Sequence, residues 1–265
     1  MRDRLLALAA KARERQRPLV MREYLQAHIL RSMYQAGGFR ALAFVGGTAL
    51  RFLYEVQRYS EDLDFSLEQP KGWSLAPLLK RIEADCLDAG LPVTVHPKSE
   101  KTVQTAFFRF PGLLFEAGVS PLRDQKLSIK IDVDTRPPAG AKMQVTVVDR
   151  HFLMTLWHYD QPSLMAGKLH ALLARPAVKG RDVYDLLWYL ARREKIQPNL
   201  TLLNHALAQS DWKGPLIETS NWRSLLTERV ETFDWKKVVE DVSPFLEDPL
   251  DLEALKLEHL VKLLK

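Results

Sequence analysis

The sequence predicts an α+β fold: a mixed sheet with flanking helices over residues 1–150, followed by a helical domain over residues 151–265. Three observations carry this expectation. Short apolar or alternating segments recur at about 42–46, 62–67, 92–96, 103–110, 127–134 and 143–148. An amphipathic stretch of helical length interrupts them at 75–89 and is ended by Gly90. From about residue 151 the pattern reads as helical to the end, punctuated by Pro162, Pro176, Pro198, Pro215, Pro244 and Pro249. A chain of 265 residues is long enough for one large or two modest domains with a sizeable core.

Taken in order, residues 1 to about 36 read as helix, with Leu25, Ile29, Leu30 and Met33 in helical register. This region is basic: Arg2, Arg4, Lys11, Arg13, Arg15, Arg17 and Arg22 face only Asp3, Glu14 and Glu23. Such a run either binds phosphates with strong salt dependence or is a solvated helix face. The strand at 42–46 then leads into Gly46-Gly47-Thr48 and a helical segment. Glycines there let backbone amides approach a triphosphate, and the helix that follows directs its positive end to the same place.

The strand at 62–67 carries Asp62 and Asp64 on one face and Leu63 and Phe65 on the other, because successive side chains alternate. Two carboxylates roughly 7 Å apart along a strand can hold Mg²⁺ while leaving room for waters and phosphates. The strand at 127–134 repeats the pattern, with Lys130, Asp132 and Asp134 on one face and Ile and Val on the other. Three carboxylates on neighbouring strands make a two-metal site possible; a half-buried strand with a solvated charged face is the plainer explanation.

Two further helices are expected around 163–175 and 179–190, with Ser163 as N-cap of the first. Leu164, Leu169, Leu172 and Leu173 form the first helix's apolar stripe, and Lys168 stands near its middle. Asp182 and Asp185, spaced three apart, share a face of the second. A lysine can neutralise charge developing on a triphosphate, and an aspartate can fix that lysine or accept a proton from an incoming hydroxyl. The alternative for Lys168 is a snorkelling stem at a helix rim. Arg51 and Arg58 offer donor forks suited to phosphate or to salt bridges.

In this order, Gly-Gly-Thr, Arg-x-Ser-x-Asp-x-Asp-Phe, Lys-x-Asp, Lys and Arg-Asp-x-x-Asp, the motifs resemble the nucleotidyltransferase AbiEii/AbiGii toxin family, of the DNA polymerase β-like superfamily. The resemblance runs from about Val20 to Leu190. It implies a polymerase β-like sheet, an NTP substrate, Mg²⁺ or Mn²⁺, an acceptor such as the tRNA 3′ end, and an antitoxin encoded nearby. It also implies a role in a bacterial toxin–antitoxin or phage-defence (abortive infection) system. Residue by residue, Gly46, Gly47 and Thr48 match the phosphate-binding turn and Ser60 the serine before the metal pair Asp62 and Asp64. Asp132 fits the third acidic position, with Asp134 as alternative, and Lys168, Arg181, Asp182 and Asp185 match the downstream motif. Glu61 lies between Ser60 and Asp62 and is expected to point away from the acidic pair.

Composition bounds the rest. The formal net charge is +5, which permits a polyanionic partner. One cysteine, Cys86, excludes an internal disulfide framework and a multi-cysteine zinc site and suits a reducing cytoplasm. No segment has the uninterrupted apolar length of a membrane span, so a soluble cytoplasmic protein is expected. The seven histidines show no metal-ligand spacing, and no Walker A or Gly-x-Gly-x-x-Gly motif is present. Rival activities are nucleotide transfer to a small molecule, phosphoryl transfer, or a catalytically silent protein that binds nucleic acid or a partner chain. The tryptophans Trp157, Trp188, Trp212, Trp222 and Trp235 are expected mainly in the core of the C-terminal domain.

Overall fold

A computed structural model describes residues 1–99 and 102–265. The chain divides into two compact units, the first Met1–Glu55, Tyr59–Pro137 and Gln144–His158, the second Val56–Arg58, Pro138–Met143 and Tyr159–Lys265.

The first unit is built on a mixed sheet. Its strands are β1 (Leu42–Val45), β2 (Asp62–Leu67), β3 (Thr94–Ser99), β4 (Val103–Phe110), β5 (Leu127–Asp134), β6 (Met143–Arg150) and β7 (Phe152–Tyr159), in the order β3-β4-β5-β2-β1-β7-β6. β1 runs antiparallel to β2 and parallel to β7; β2 runs parallel to β5; β4 pairs antiparallel with both β3 and β5. The alternation expected for β5 is present: Leu127, Ile129, Ile131 and Val133 are buried while Ser128, Lys130, Asp132 and Asp134 are partly exposed.

Helices α1 (Arg2–Lys11), α2 (Arg17–Gln35), α3 (Gly46–Tyr54), α4 (Leu75–Asp88) and the short α5 (Leu113–Glu116) complete this unit. The expected single N-terminal helix is interrupted after Lys11, and α2 restarts with Pro18 in its first turn, where a missing N–H costs nothing. Leu25, Ile29, Leu30 and Met33 are all fully buried. Gly90 ends α4 as expected: it takes a left-handed conformation, donating to Leu87 O while Leu91 N donates to Cys86 O.

The second unit holds α6 (Gln161–Ala174), α7 (Gly180–Ala191), α8 (Leu200–Gln209), α9 (Trp222–Glu231), α10 (Trp235–Val242), the short α11 (Asp251–Ala254) and α12 (Leu257–Leu264). Gly180 lets α7 start against α10, since a Cβ there would run into Val238 O, and the Gly180 amide donates to Asp241 at 2.7 Å. Trp222 is buried in this unit, whereas Trp157 belongs to the sheet of the first.

Three expectations are corrected. Residues 152–159 are strand, not helix: Phe152, Met154, Leu156 and His158 are buried in alternation beside β1, but Leu153 and Trp157 put apolar residues on the other face and mask the period of two. The N-cap of α6 is Asp160, which accepts from Ser163 N at 2.9 Å and allows Pro162 into the first turn; the Ser163 hydroxyl instead accepts from Lys142 N. β3 starts at Thr94 and runs to Ser99, two residues later than expected.

Candidate active site

In the first unit the glycine turn and the acidic pair are packed on each other. α3 begins at Gly46, whose φ of +79° places it in the left-handed region. Val45 is the register partner of Asp64, so the turn after β1 and the carboxylate on β2 meet. An ideal Cβ on Gly46 would stand 2.9 Å from Asp64 Cβ and nearer still to its Oδ2. The Asp64 carboxylate thus occupies the space that any side chain at Gly46 would need. Thr48, fully buried, donates its hydroxyl to Asp62 O and ties the first turn of α3 to the start of β2. Gln26, also buried, reaches from α2 to donate to Ser60 O (3.2 Å) and Glu61 O (2.8 Å). Glu61 is paired with Arg22 at 3.2 Å.

The β2–β5 register fixes what faces the acidic pair. Asp62 lies opposite Lys130, Asp64 opposite Asp132, and Ser66 opposite Asp134, all on one face of the sheet. Carboxylates placed side by side on neighbouring strands repel each other. Lys130 relieves that repulsion: its Nζ donates to Asp132 Oδ2 at 2.5 Å, and Thr105 on β4 donates to Oδ1 at 2.6 Å. Burial lowers the Lys130 pKa, but the hydrogen bond and charge of Asp132 with the charges of Asp62 and Asp64 outweigh it and raise the ammonium above its ordinary value. Asp134 accepts from Arg136 N at 2.9 Å. Among the described residues no three His, Cys, Asp or Glu side chains are gathered closely enough to hold an ion. The donor set is nonetheless of oxygen alone, which suits Mg²⁺ or Mn²⁺, with Asp62 and Asp64 as the adjacent pair.

The second unit contains a buried charge cluster. Lys168 of α6 lies 2.8 Å from Asp182 Oδ1 and 2.7 Å from Asp185 Oδ2, both on α7. Arg58 is fully buried and grips Asp185 with two donors, Nε at 2.7 Å and Nη2 at 2.5 Å. Arg175 adds a contact to Asp182 at 3.0 Å. Burial opposes the charge on Lys168, but Asp182 and Asp185 overcome it and raise its pKa; the same burial acts on Asp182, where Lys168 and Arg175 win and its pKa falls. Three cations thus surround two carboxylates. Arg181, next to Asp182, lies over the Phe245 ring at 4.1 Å.

The expected residues therefore fall into two groups: Gly46, Gly47, Thr48, Ser60, Asp62, Asp64 and Asp132 in the first unit, and Arg58, Lys168, Arg181, Asp182 and Asp185 in the second. Arg51, whose donor fork suits phosphate or a surface salt bridge on sequence grounds, is instead buried and ion-paired with Glu23 at 2.6 Å. Gln26, Thr105 and Arg175 were not anticipated. Lys130 takes the face that strand alternation predicts for it, beside Asp132.

The match to known proteins covers most of the chain. A model of the nucleotidyl transferase AbiEii toxin family of type IV toxin–antitoxin systems matches residues 28–257. No curated protein sequence is significantly similar. Among solved structures, JHP933 from Helicobacter pylori is similar in fold, with a TM-score of 0.54 at 20% identity over 93% of this chain and 88% of that one. MenT4, a nucleotidyltransferase toxin from Mycobacterium tuberculosis H37Rv, has a TM-score of 0.54 at 17% identity over 100% of this chain and 99% of that one. No helix among the described residues is long and apolar enough to cross a membrane. By the extent of the family match, this chain belongs to the AbiEii family of nucleotidyl transferase toxins.

Proposed function

We propose that this chain is a metal-dependent nucleotidyltransferase toxin of the cytoplasm that transfers a nucleotide from an NTP to an RNA acceptor, the tRNA 3′ end. The observation that carries this reading is the seating of Asp64 in the space left by Gly46: the amide-rich start of a helix and an acidic strand are held at one point. In the first unit Asp62 and Asp64 would hold Mg²⁺ or Mn²⁺, with Asp132 as the third carboxylate of a two-metal arrangement. Such ions neutralise charge on the transferring phosphorus and activate the attacking hydroxyl. Gly46, Gly47 and Thr48 would receive phosphate oxygens through backbone amides, and Ser60 through its hydroxyl.

In the second unit Lys168 supplies positive charge for phosphate, supported by the excess of cations in its cluster. Asp182 orients Lys168 and is the candidate to assist proton movement from the acceptor hydroxyl. Arg58 and Asp185, expected as phosphate-site residues, are held by each other in a two-donor buried pair; we assign them to bracing Lys168. Arg181 is assigned to phosphate contact at the start of α7. The basic N-terminal region, with Lys11, Arg13 and Arg15 largely exposed, supports a polyanionic acceptor. Family membership also implies a cognate antitoxin.

The test is incubation of the full chain with Mg²⁺, total tRNA and each NTP separately, followed by mass measurement of the tRNA 3′ ends. Addition of nucleotide residues to tRNA with one or more NTPs is the expected result. Unchanged 3′ ends with all four would reject tRNA as acceptor and favour a small-molecule acceptor or a silent binding protein.

A further inference from the structure

We propose that Lys130 is a built-in counter-ion of the acidic face, whose ammonium competes with a divalent cation for Asp132. This rests on the reading that Asp62 and Asp64 hold such a cation.

The argument starts from the pairing of β2 and β5. Asp64 and Asp132 are register partners, and Lys130 is the partner of Asp62 on the same face. The lysine is therefore placed by the backbone among three carboxylates rather than by a chance rotamer. Its Nζ is bound to Asp132 Oδ2 at 2.5 Å, and Thr105 takes the other oxygen at 2.6 Å, so both oxygens of Asp132 already have donors. Asp132 therefore differs from a carboxylate ready to ligate. The Lys130 side chain is 34% exposed, so the ammonium has a path to water when another cation replaces it. A flexible four-carbon stem makes that exchange a change of rotamer.

Two consequences follow. Without metal, Lys130 keeps the acidic face from repelling itself apart. With metal, the Asp62 and Asp64 pair fills first, and a second ion gains Asp132 only by displacing Lys130. The metal count then depends on this lysine.

The experiment is Mn²⁺ titration of the full chain at fixed pH, read by the loss of the free-Mn²⁺ electron paramagnetic resonance signal, with thermal unfolding measured with and without Mg²⁺. The wild type should take one Mn²⁺ tightly and a second weakly. Lys130→Met, which keeps the stem and removes the charge, should tighten the second site about tenfold or more, the scale on which a neighbouring charge acts. It should also unfold at a lower temperature without Mg²⁺ and recover more than the wild type does when Mg²⁺ is added. Asp132→Asn should lose the second site and keep the first.

Lys130→Gln, which keeps a donor to Asp132, serves the same purpose if Lys130→Met does not fold. Equal Mn²⁺ affinity in the wild type and in the uncharged Lys130 variants would overturn the proposal. Asp62→Asn separates the two readings: if it binds Mn²⁺ like the wild type, the metal assignment itself fails. If it loses Mn²⁺ while the Lys130 variants are unchanged, only the counter-ion role fails.

Discussion

Replacing Gly46 by alanine separates two costs that the site imposes on one residue. The first is conformational: at φ +79° an L-residue pays about 1–2 kcal/mol. The second is steric and falls on the site, because the new Cβ would enter the space of the Asp64 carboxylate and of its Cβ, 2.9 Å away. Gly72 provides the control. Its φ is +71°, and nothing lies within 4 Å of where its Cβ would be, so Gly72→Ala carries the first cost without the second. Both variants should lose about 1–2 kcal/mol in urea unfolding, with Gly46→Ala somewhat worse. Only Gly46→Ala should lose nucleotide transfer, by about 100-fold, the penalty typical of misplacing a reacting group by about 1 Å. Steady-state transfer assays beside unfolding curves read both effects. If Gly46→Ala transferred nucleotide within a few-fold of Gly72→Ala, the claim that Asp64 must sit against that glycine would be wrong.

Other predictions follow from the buried charges. Asp185→Asn leaves the Arg58 guanidinium buried without its anion and removes one partner of Lys168, so it should cost about 3–5 kcal/mol in urea unfolding. A loss below 1 kcal/mol would argue against the bracing role. Glu23 is ion-paired with Arg51 and Arg150 and hydrogen-bonded to His151; burial pushes its pKa up, but the His151 hydrogen bond and the two arginines hold it well below the ordinary 4.5, at about 2. A depressed carboxyl stabilises the fold above its unfolded pKa and loses that contribution as pH falls through the folded one, so stability should drop by roughly 3 kcal/mol between about pH 4.5 and 2. Glu23→Gln should be less stable at neutral pH and flatter across that window; an unchanged slope would contradict the ion-pair account. Lys168→Met should reduce transfer more than it raises the apparent KM for NTP if the lysine acts on charge developing in the transition state.

What was legible in the sequence and what was not divide on physical lines. β2 and β5 were readable because each has one buried face, so alternation alone sets which side Asp62, Asp64, Lys130, Asp132 and Asp134 take. Gly90 and the apolar stripe of α2 were readable for similar local reasons. β7 was not: Leu153 and Trp157 place apolar groups on its outer face, and its pairing with β1 joins residues far apart in sequence. The pairing of Arg58 with Asp185 spans 127 positions, and no local pattern distinguishes a guanidinium that meets a carboxylate from one that meets phosphate. Gln26 and Thr105 act on the acidic strands from other elements and carry no motif of their own. The short-range chemistry of the acidic face was visible in one dimension; the partners that hold it depended on the sheet order.

Nucleotide transfer itself is tested most directly by isotope position. The full chain, with an Asp62→Asn control, is given Mg²⁺, total tRNA and the same NTP labelled either at the α or at the γ phosphate. The account predicts α label in tRNA, γ label only in released pyrophosphate, and neither in tRNA with Asp62→Asn. Label passing from the γ position to the acceptor would make the chain a phosphotransferase, and α transfer by Asp62→Asn at the wild-type rate would remove the acidic strand from the chemistry.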